Sequence, residues 1–449
     1  DGLPTAETAA LAYETLNLVR GITAFTDGMP AASTYAMCNG LEEAGVDPLS
    51  IGIFEGLYNA RSLLLTPNTT TIYILNCTDL SQGPVVYDVP PGVLGFMDDV
   101  YMRYLTDFGR AGPDKGEGGK FLIVPPGYEG ALPEDGYFIV HSPSYMNWFL
   151  LRAFYGESGV DAAVETVKQS LRVYPWAERE NPPETRFVNL TDVQFNTIHA
   201  NDFEFYNEMK AIVDREADGA LPAELLGTLA SIGIRKGTPF APEGRMRQTL
   251  DEAVALGTAA ARALVYAPRT REPFYYDTGY WKTAFVGGSH DFTADGVRLL
   301  DARTLFHYYA TGITPAMVAK RVGVGSQYAL ANRDSAGNYL DGAKTYAVTI
   351  PADPPAKDYW SFVVYDTQTR SLLETDQKLA GVDSNQPDVK PNEDGTFTVF
   401  FGPAAPEGRE GNWIQTIPGK AWSTVLRLYG PLEPWFEGSW RPGEIELIE

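Results

Sequence analysis

Four clusters combine residue types and spacings that could do chemistry. The first is IHANDFEFYNEM, residues 198–209. Asn201 and Asp202 are natural caps for the helix that follows, and His199 sits just before them. The field of a helix N-terminus disfavours an imidazolium there. A neutral His199 beside Asp202 is thus a candidate general base, oriented by Asp202 or by Asp107, or a candidate ligand for a divalent transition metal. The second cluster lies in FMDDVYMRYLTDFGRAGPDKGEGGKF, residues 96–121. Read as one strand over 97–107, it puts Asp99, Tyr101, Arg103, Leu105 and Asp107 on one face. An Asp-Arg-Asp row must face water or pair. Paired, it would hold the Arg103 guanidinium rigid for recognition of an anionic group.

The third cluster is TPNTTTIYI, residues 66–74. Asn68 suits an Asx turn, and the strand leaving it carries Tyr73. The residues either build that turn or present Asn68, Thr70 and Tyr73 to a ligand. The fourth is GREGNWIQTIPGKAWSTVLRLYGP, residues 408–431, which gathers Trp413, Trp422, Arg427 and Tyr429 beside Asn412 and Gln415. Aromatic and amide groups together suit a small polar ligand with an apolar face. The same residues would also serve as a sheet core with a polar edge.

Several familiar sites are absent. GPDKGEGGK fails as a phosphate loop because position 114 is Asp and position 121 is Phe. GGSHD, residues 287–291, lacks the last glycine of a nucleophile elbow. The four histidines show no zinc spacing. The stretch from Asn332 has no glutamate at the twelfth position of a calcium loop.

Composition narrows the partners. The 449 residues carry 35 basic and 58 acidic side chains, a net charge of −23, which opposes binding to nucleic acid or to anionic lipid. No apolar run approaches the ~18 residues of a membrane span. The expected partners are a small-molecule ligand and a second copy of the chain. Cys38 and Cys77 either pair or remain buried thiols, and the sequence leaves both open. The opening DGLPTAETAALAYE has neither a basic n-region nor an apolar h-region, so a signal peptide was either removed or lies outside this sequence, and the acidic balance with only two cysteines leads us to expect a periplasmic or secreted protein.

The elements that must position these clusters follow from periodicity. Residues 5–20 read as a helix, a Gly-Met-Pro break follows at 28–30, and 31–44 read as a second helix. From 51 the pattern is β, with runs such as TIYILNC, PVVYDVP and YMNWFLLRAF between Pro-Gly turns. Helical periodicity takes over from 158, and residues 270–330 are aromatic and irregular apart from a helix near 301–311. Strong strand runs return in AKTYAVTIP, YWSFVVYDT, TFTVFFGP and WSTVLRLYG. The expected fold is α+β: an N-terminal helical segment over 1–50, a β-sandwich over 51–157, a helical and irregular insert over 158–330, and a second β-sandwich over 331–449.

TPNTTTIYIL, DLSQGPVVYDVPPG, DDVYMRYLTDFGRAGPDKGEGGKFLIVPPGYEG and YMNWFLLRAF resemble the DUF1254 family. PADPPAKDYWSFVVYDTQTRSLL, FFGPAAPEGREGNWIQTIPGKAWSTVLRLYGPLEPWF and SWRPGEIEL resemble its partner domain, DUF1214. The resemblance covers about three quarters of the chain. It implies two sandwich-like domains and a mostly bacterial, often exported family, and it implies no settled reaction. The chain departs from the commoner pattern N-x-D-T-x-Y, with Thr70 where an Asp is usual.

Two functions are consistent with these features. The first is an exported enzyme on a small polar or anionic substrate, hydrolytic or metal-assisted and oxidative. In it Arg103, Asn68, Tyr73, Trp413 and Arg427 bind substrate, while His199, Asp107 and Asp202 carry the chemistry. The second is a non-catalytic envelope-associated binding or assembly protein.

Overall fold

In the computed structural model, which describes residues 2–448, the chain opens with one long helix. α1 (Ala6–Glu43) starts on Thr5, whose Oγ1 accepts the Thr8 N–H at 3.2 Å. The break expected at 28–30 does not occur, and the helix runs through Pro30. An internal proline costs ~3 kcal/mol because it removes one helical hydrogen bond and crowds the preceding turn. Burial outweighs that cost, since Met29, Ala31, Ala32, Met37 and Leu41 are wholly enclosed. Close approach fixes the path: a Cβ on Gly21 would lie 2.6 Å from the Ala253 Cβ.

The first sandwich follows. Its strands are β1 (Ser50–Ile53), β2 (Ile72–Asp79), β3 (Val85–Val89), β4 (Leu94–Asp99), β5 (Tyr104–Gly109), β6 (Gly119–Val124), β7 (Phe138–His141) and β8 (Met146–Ala153). After α2 (Gly159–Ser170) come β9 (Arg172–Pro175) and β10 (Arg186–Asn189). One sheet has the order β10-β1-β2-β8-β4-β5 and the other β7-β6-β3-β9. The first sandwich thus takes two strands from the stretch expected to be insert. Alternation explains the layer between the sheets: Ile72, Ile74, Met97, Phe149 and Leu151 point inward to meet Val85, Tyr87, Phe121 and Ile123.

Residues 97–107 form a hairpin and not the single strand expected. The Asp99 Oδ1 accepts N–H groups from Tyr101 and Arg103, and Met102 adopts φ 54°, so the chain reverses between β4 and β5. Asp99 and Arg103 therefore build the turn.

Helices α3 (Glu204–Arg215), α4 (Ala223–Ser231) and α5 (Gly244–Tyr266) pack on α1. A short hairpin, β11 (Thr293–Ala294) and β12 (Val297–Arg298), precedes α6 (Leu300–Tyr309) and α7 (Pro315–Val318). The second sandwich comprises β13 (Ser326–Ala331), β14 (Tyr346–Ile350), β15 (Ala356–Asp366), β16 (Gly381–Asp383), β17 (Phe397–Gly402), β18 (Trp413–Gln415) and β19 (Trp422–Pro431). The short α8 (Glu433–Phe436) and β20 (Glu446–Leu447) close the chain. Its sheets run β13-β19-β15-β16 and β18-β17-β14-β20, around Trp360, Phe362, Val399, Phe401, Trp422 and Leu426.

A third core fills the space between the sandwiches and the helices. It takes the opposite faces of the same strands: Tyr73, Leu75, Phe96, Trp148 and Leu150 from the first, and Leu330, Val363, Tyr365 and Val425 from the second. A disulfide between Cys38 of α1 and Cys77 of β2, with Cα atoms 5.1 Å apart, ties helix to sheet. Among the described residues no helix is long and apolar enough to cross a membrane.

Candidate functional site

The period of a strand decides which side chains reach the third core. On β8, Phe149 and Leu151 face the first sandwich's interior, so Leu150 and Arg152 must face out. Tyr73 of β2 lies directly opposite Arg152 in the antiparallel register, and Phe96 of β4 lies opposite Leu150. On β19, Leu426 and Leu428 point into the second sandwich, so Val425, Arg427 and Tyr429 point away. Arg427 is flanked by Tyr328 of β13 and Ser361 of β15.

The two outward faces meet around a cavity of about 90 Å³. Arg152, Tyr73, Phe96 and Leu150 line it from the first sandwich, and Arg427, Tyr328, Leu330 and Val425 from the second. Thr66 and Asn68 of the 64–68 turn, Phe285, Phe306, and Tyr309 to Gly312 with Met317 complete the wall. Gly312 sits at φ 71°, and a Cβ there would lie 2.3 Å from the Phe96 ring. Both the left-handed backbone and the aromatic contact require glycine.

The two guanidiniums set the electrostatics. Arg152 and Arg427 are 8% and 4% exposed. Among the described residues neither belongs to an ion pair. Arg427 donates from Nη2 to the carbonyls of Thr66 at 2.8 Å and Pro67 at 3.4 Å, while its Nη1 has no partner. The Nε of Arg152 also lacks one. Arginine stays protonated in proteins, so two buried positive charges remain. The Tyr309, Tyr365 and Tyr429 phenols supply no counter-charge at neutral pH. Burial pushes Tyr309 up to about 12, and Tyr365 and Tyr429 are also raised, chiefly by burial. No lining residue is Asp, Glu, His, Cys or Lys.

The 66–74 turn supports this arrangement. Asn68 Oδ1 accepts from the N–H of Thr70 at 3.0 Å and of Thr71 at 3.2 Å, which fixes the turn as an Asx motif. The Tyr73 hydroxyl accepts the Asn68 N–H at 3.2 Å. Thr70 Oγ1 lies 3.0 Å from the Tyr359 hydroxyl and 3.4 Å from that of Tyr429. Those two rings stack at 4.1 Å. The turn thus joins the first sandwich to the second at the edge of the cavity.

The other expected site residues lie elsewhere. His199 is enclosed by Phe25 and Phe205. Its Nδ1 is 2.9 Å from the Ala200 carbonyl, and its Nε2 has no partner. Burial, then the charge of Arg370, holds it down at about 4. Asp202 does not orient it, because its Oδ1 accepts the Glu204 N–H. Among the described residues no three His, Cys, Asp or Glu side chains converge, so His199 lacks the co-ligands a metal would need. Asp107 pairs with the Tyr104 hydroxyl and is raised by burial. Arg103 is committed to Asp99, at 2.5 Å, and to the Ala220 carbonyl. Trp413 donates its Nε1–H to the Gly402 carbonyl, within the second sandwich. Of the expected set, Asn68, Tyr73 and Arg427 come together.

Comparison with known proteins fits this architecture. Residues 51–175 match the family model DUF1254, a protein of unknown function, and residues 325–433 match DUF1214, also a protein of unknown function. The chain belongs to the DUF1254/DUF1214 family. The VPA0106 protein from Vibrio parahaemolyticus shares its fold, with 18% identity and a TM-score of 0.59 over 96% of this chain and 100% of its own. An uncharacterised protein from Burkholderia cenocepacia aligns at 13% identity and a TM-score of 0.43, over 98% of this chain and 96% of its own. No curated protein matches the sequence. In this DUF1254/DUF1214 protein, Arg152 comes from the first matched region and Arg427 from the second. The cavity needs both regions, and Phe285, Phe306 and Tyr309 come from the stretch between them.

Arg152 is not among the site residues expected from the sequence. The signal was present: one arginine in YMNWFLLRAF, a run whose eight strand residues are all buried. A charge in a wholly buried strand needs a partner or a ligand.

Proposed function

We propose that this protein binds a small organic anion in the cavity between its two β-sandwiches. The observation that carries the reading is the pair of buried guanidiniums, each with an unpartnered nitrogen and no carboxylate. Leaving a charge buried and unpaired costs several kcal/mol, and an anionic ligand would recover that cost on binding. The mostly aliphatic and aromatic walls favour a ligand with an apolar part.

Binding is favoured over catalysis because the lining offers donors without a general base or an acidic nucleophile. Arginine and tyrosine donors of this kind hold an anion or stabilise a developing oxyanion. An enzyme built on this site would take its base from outside the lining. The Cys38–Cys77 disulfide supports an oxidising compartment, periplasmic or extracellular.

A thermal-shift screen of carboxylates, phosphate and sulfate tests the reading, run on the parent and on an Arg152→Gln, Arg427→Gln double variant. The expected result is a concentration-dependent rise in Tm for at least one anion in the parent and none in the variant. Equal shifts in both proteins would refute it.

A further inference from the structure

The size and chemistry of the cavity narrow the ligand further, on the reading that the two arginines hold an anion. An engineered cavity of roughly 150 Å³ takes benzene. A cavity of about 90 Å³ therefore has room for fewer heavy atoms than benzene has. We propose that the ligand is a short-chain monocarboxylate of the acetate and propionate class, its carboxylate on Arg152 and Arg427 and its alkyl end against Phe96, Phe285 and Phe306.

Three observations select a carboxylate over a phosphate of similar size. A carboxylate has two oxygens, one for each of the two unpartnered nitrogens, Arg152 Nε and Arg427 Nη1. Phosphate brings four oxygens, and away from the arginines the wall turns apolar through Leu150, Met317, Leu330 and Val425. Desolvated phosphate oxygens there would go unpaired. The Arg427 Nη2 is already committed to the Thr66 and Pro67 carbonyls, which fixes the direction from which Nη1 presents its hydrogens. The cavity volume sets the length limit.

Calorimetric titration of the full chain with formate, acetate, propionate, butyrate, hexanoate and inorganic phosphate tests the assignment. Affinity should rise by about four-fold for each methyl or methylene added up to propionate. It should fall at least ten-fold by hexanoate, and phosphate should bind at least ten-fold more weakly than propionate. Hexanoate or phosphate binding more tightly than propionate, with the binding lost in Arg427→Gln, would overturn the ligand class and leave the arginine site standing. Binding that persists unchanged in Arg427→Gln, or no binding by any of these anions, would overturn the site itself. Arg427→Lys guards against a folding artefact: it keeps the charge, loses the fork, and should weaken propionate less than Arg427→Gln does.

Discussion

Arg427→Gln separates a ligand-holding arginine from a structural one. In the parent, the guanidinium is 4% exposed and pairs only with backbone carbonyls, the nearer being Thr66 at 2.8 Å. Breaking a buried ion pair usually costs ~3–5 kcal/mol because the other charge is stranded. No acid would be stranded here. The loss is one buried carbonyl left without its donor, ~1–3 kcal/mol. Against it stands relief of an unpaired buried charge, a term of comparable size. The stability of the variant without anion should thus stay within about 2 kcal/mol of the parent. Its anion affinity should fall much further. A hydrogen bond to a charged group contributes ~1.5–3 kcal/mol, which is about 10- to 150-fold in Kd. At a ligand concentration of about 100 Kd the parent gains ~2.7 kcal/mol from linkage, and a 30-fold weaker variant gains under about 1 kcal/mol. Urea unfolding with and without propionate reads both quantities. A variant that loses more than about 4 kcal/mol without ligand, yet keeps the full ligand-induced gain, would make Arg427 a strut and not a ligand-holding group.

Other perturbations probe the surroundings. Thr70→Asp sets a carboxylate beside the Tyr359 and Tyr429 hydroxyls, at the cavity edge, and should lower anion affinity at least ten-fold in the same titration. Replacing Cys38 and Cys77 by serine opens a link across a sequence separation of 39 and should cost ~2–4 kcal/mol in urea unfolding without changing anion affinity. Asp98 accepts the Ile313 N–H through Oδ2, but its Oδ1 is unpartnered, and burial pushes the carboxyl well above 3.8. Because the folded state holds that proton more tightly, stability falls as pH rises from 3.8 through the folded value. Asp98→Asn should therefore be more stable than the parent at pH 7 by ~1–3 kcal/mol, with the gap closing in acid. Glu208 is raised from 4.5 to about 8, first by burial, against a bond from the Ala200 N–H. Glu208→Gln should flatten the pH dependence of stability between those values, and an unchanged slope would contradict the shift.

The strands were legible in the sequence because alternation is a local signal. TIYILNC and YMNWFLLRAF became β2 and β8, and WSTVLRLYG became β19. The break expected at Pro30 was not, because contacts from distant helices override local propensity. Residues 97–107 read as one strand because the side chain that reverses the chain, Asp99, looks like a surface charge when its backbone partners are unknown. The site divided in the same way. Asn68 and Tyr73 were visible through turn chemistry, and Arg427 through its aromatic neighbours. His199 drew attention by its scarcity as a residue type, yet it serves in packing, enclosed by Phe25 and Phe205. Arg152 acquires meaning only when β8 is wholly buried and the second sandwich closes over its outer face.

The most direct test of the central claim is a crystal structure of the protein soaked with bromoacetate, in which bromine takes the place of the propionate methyl, read by the anomalous signal of bromine. A single strong peak is expected inside the cavity near Phe285 and Phe306, with the carboxylate density on Arg152 and Arg427. Bromine at the arginine end, or full occupancy elsewhere with the cavity holding water alone, would contradict that claim.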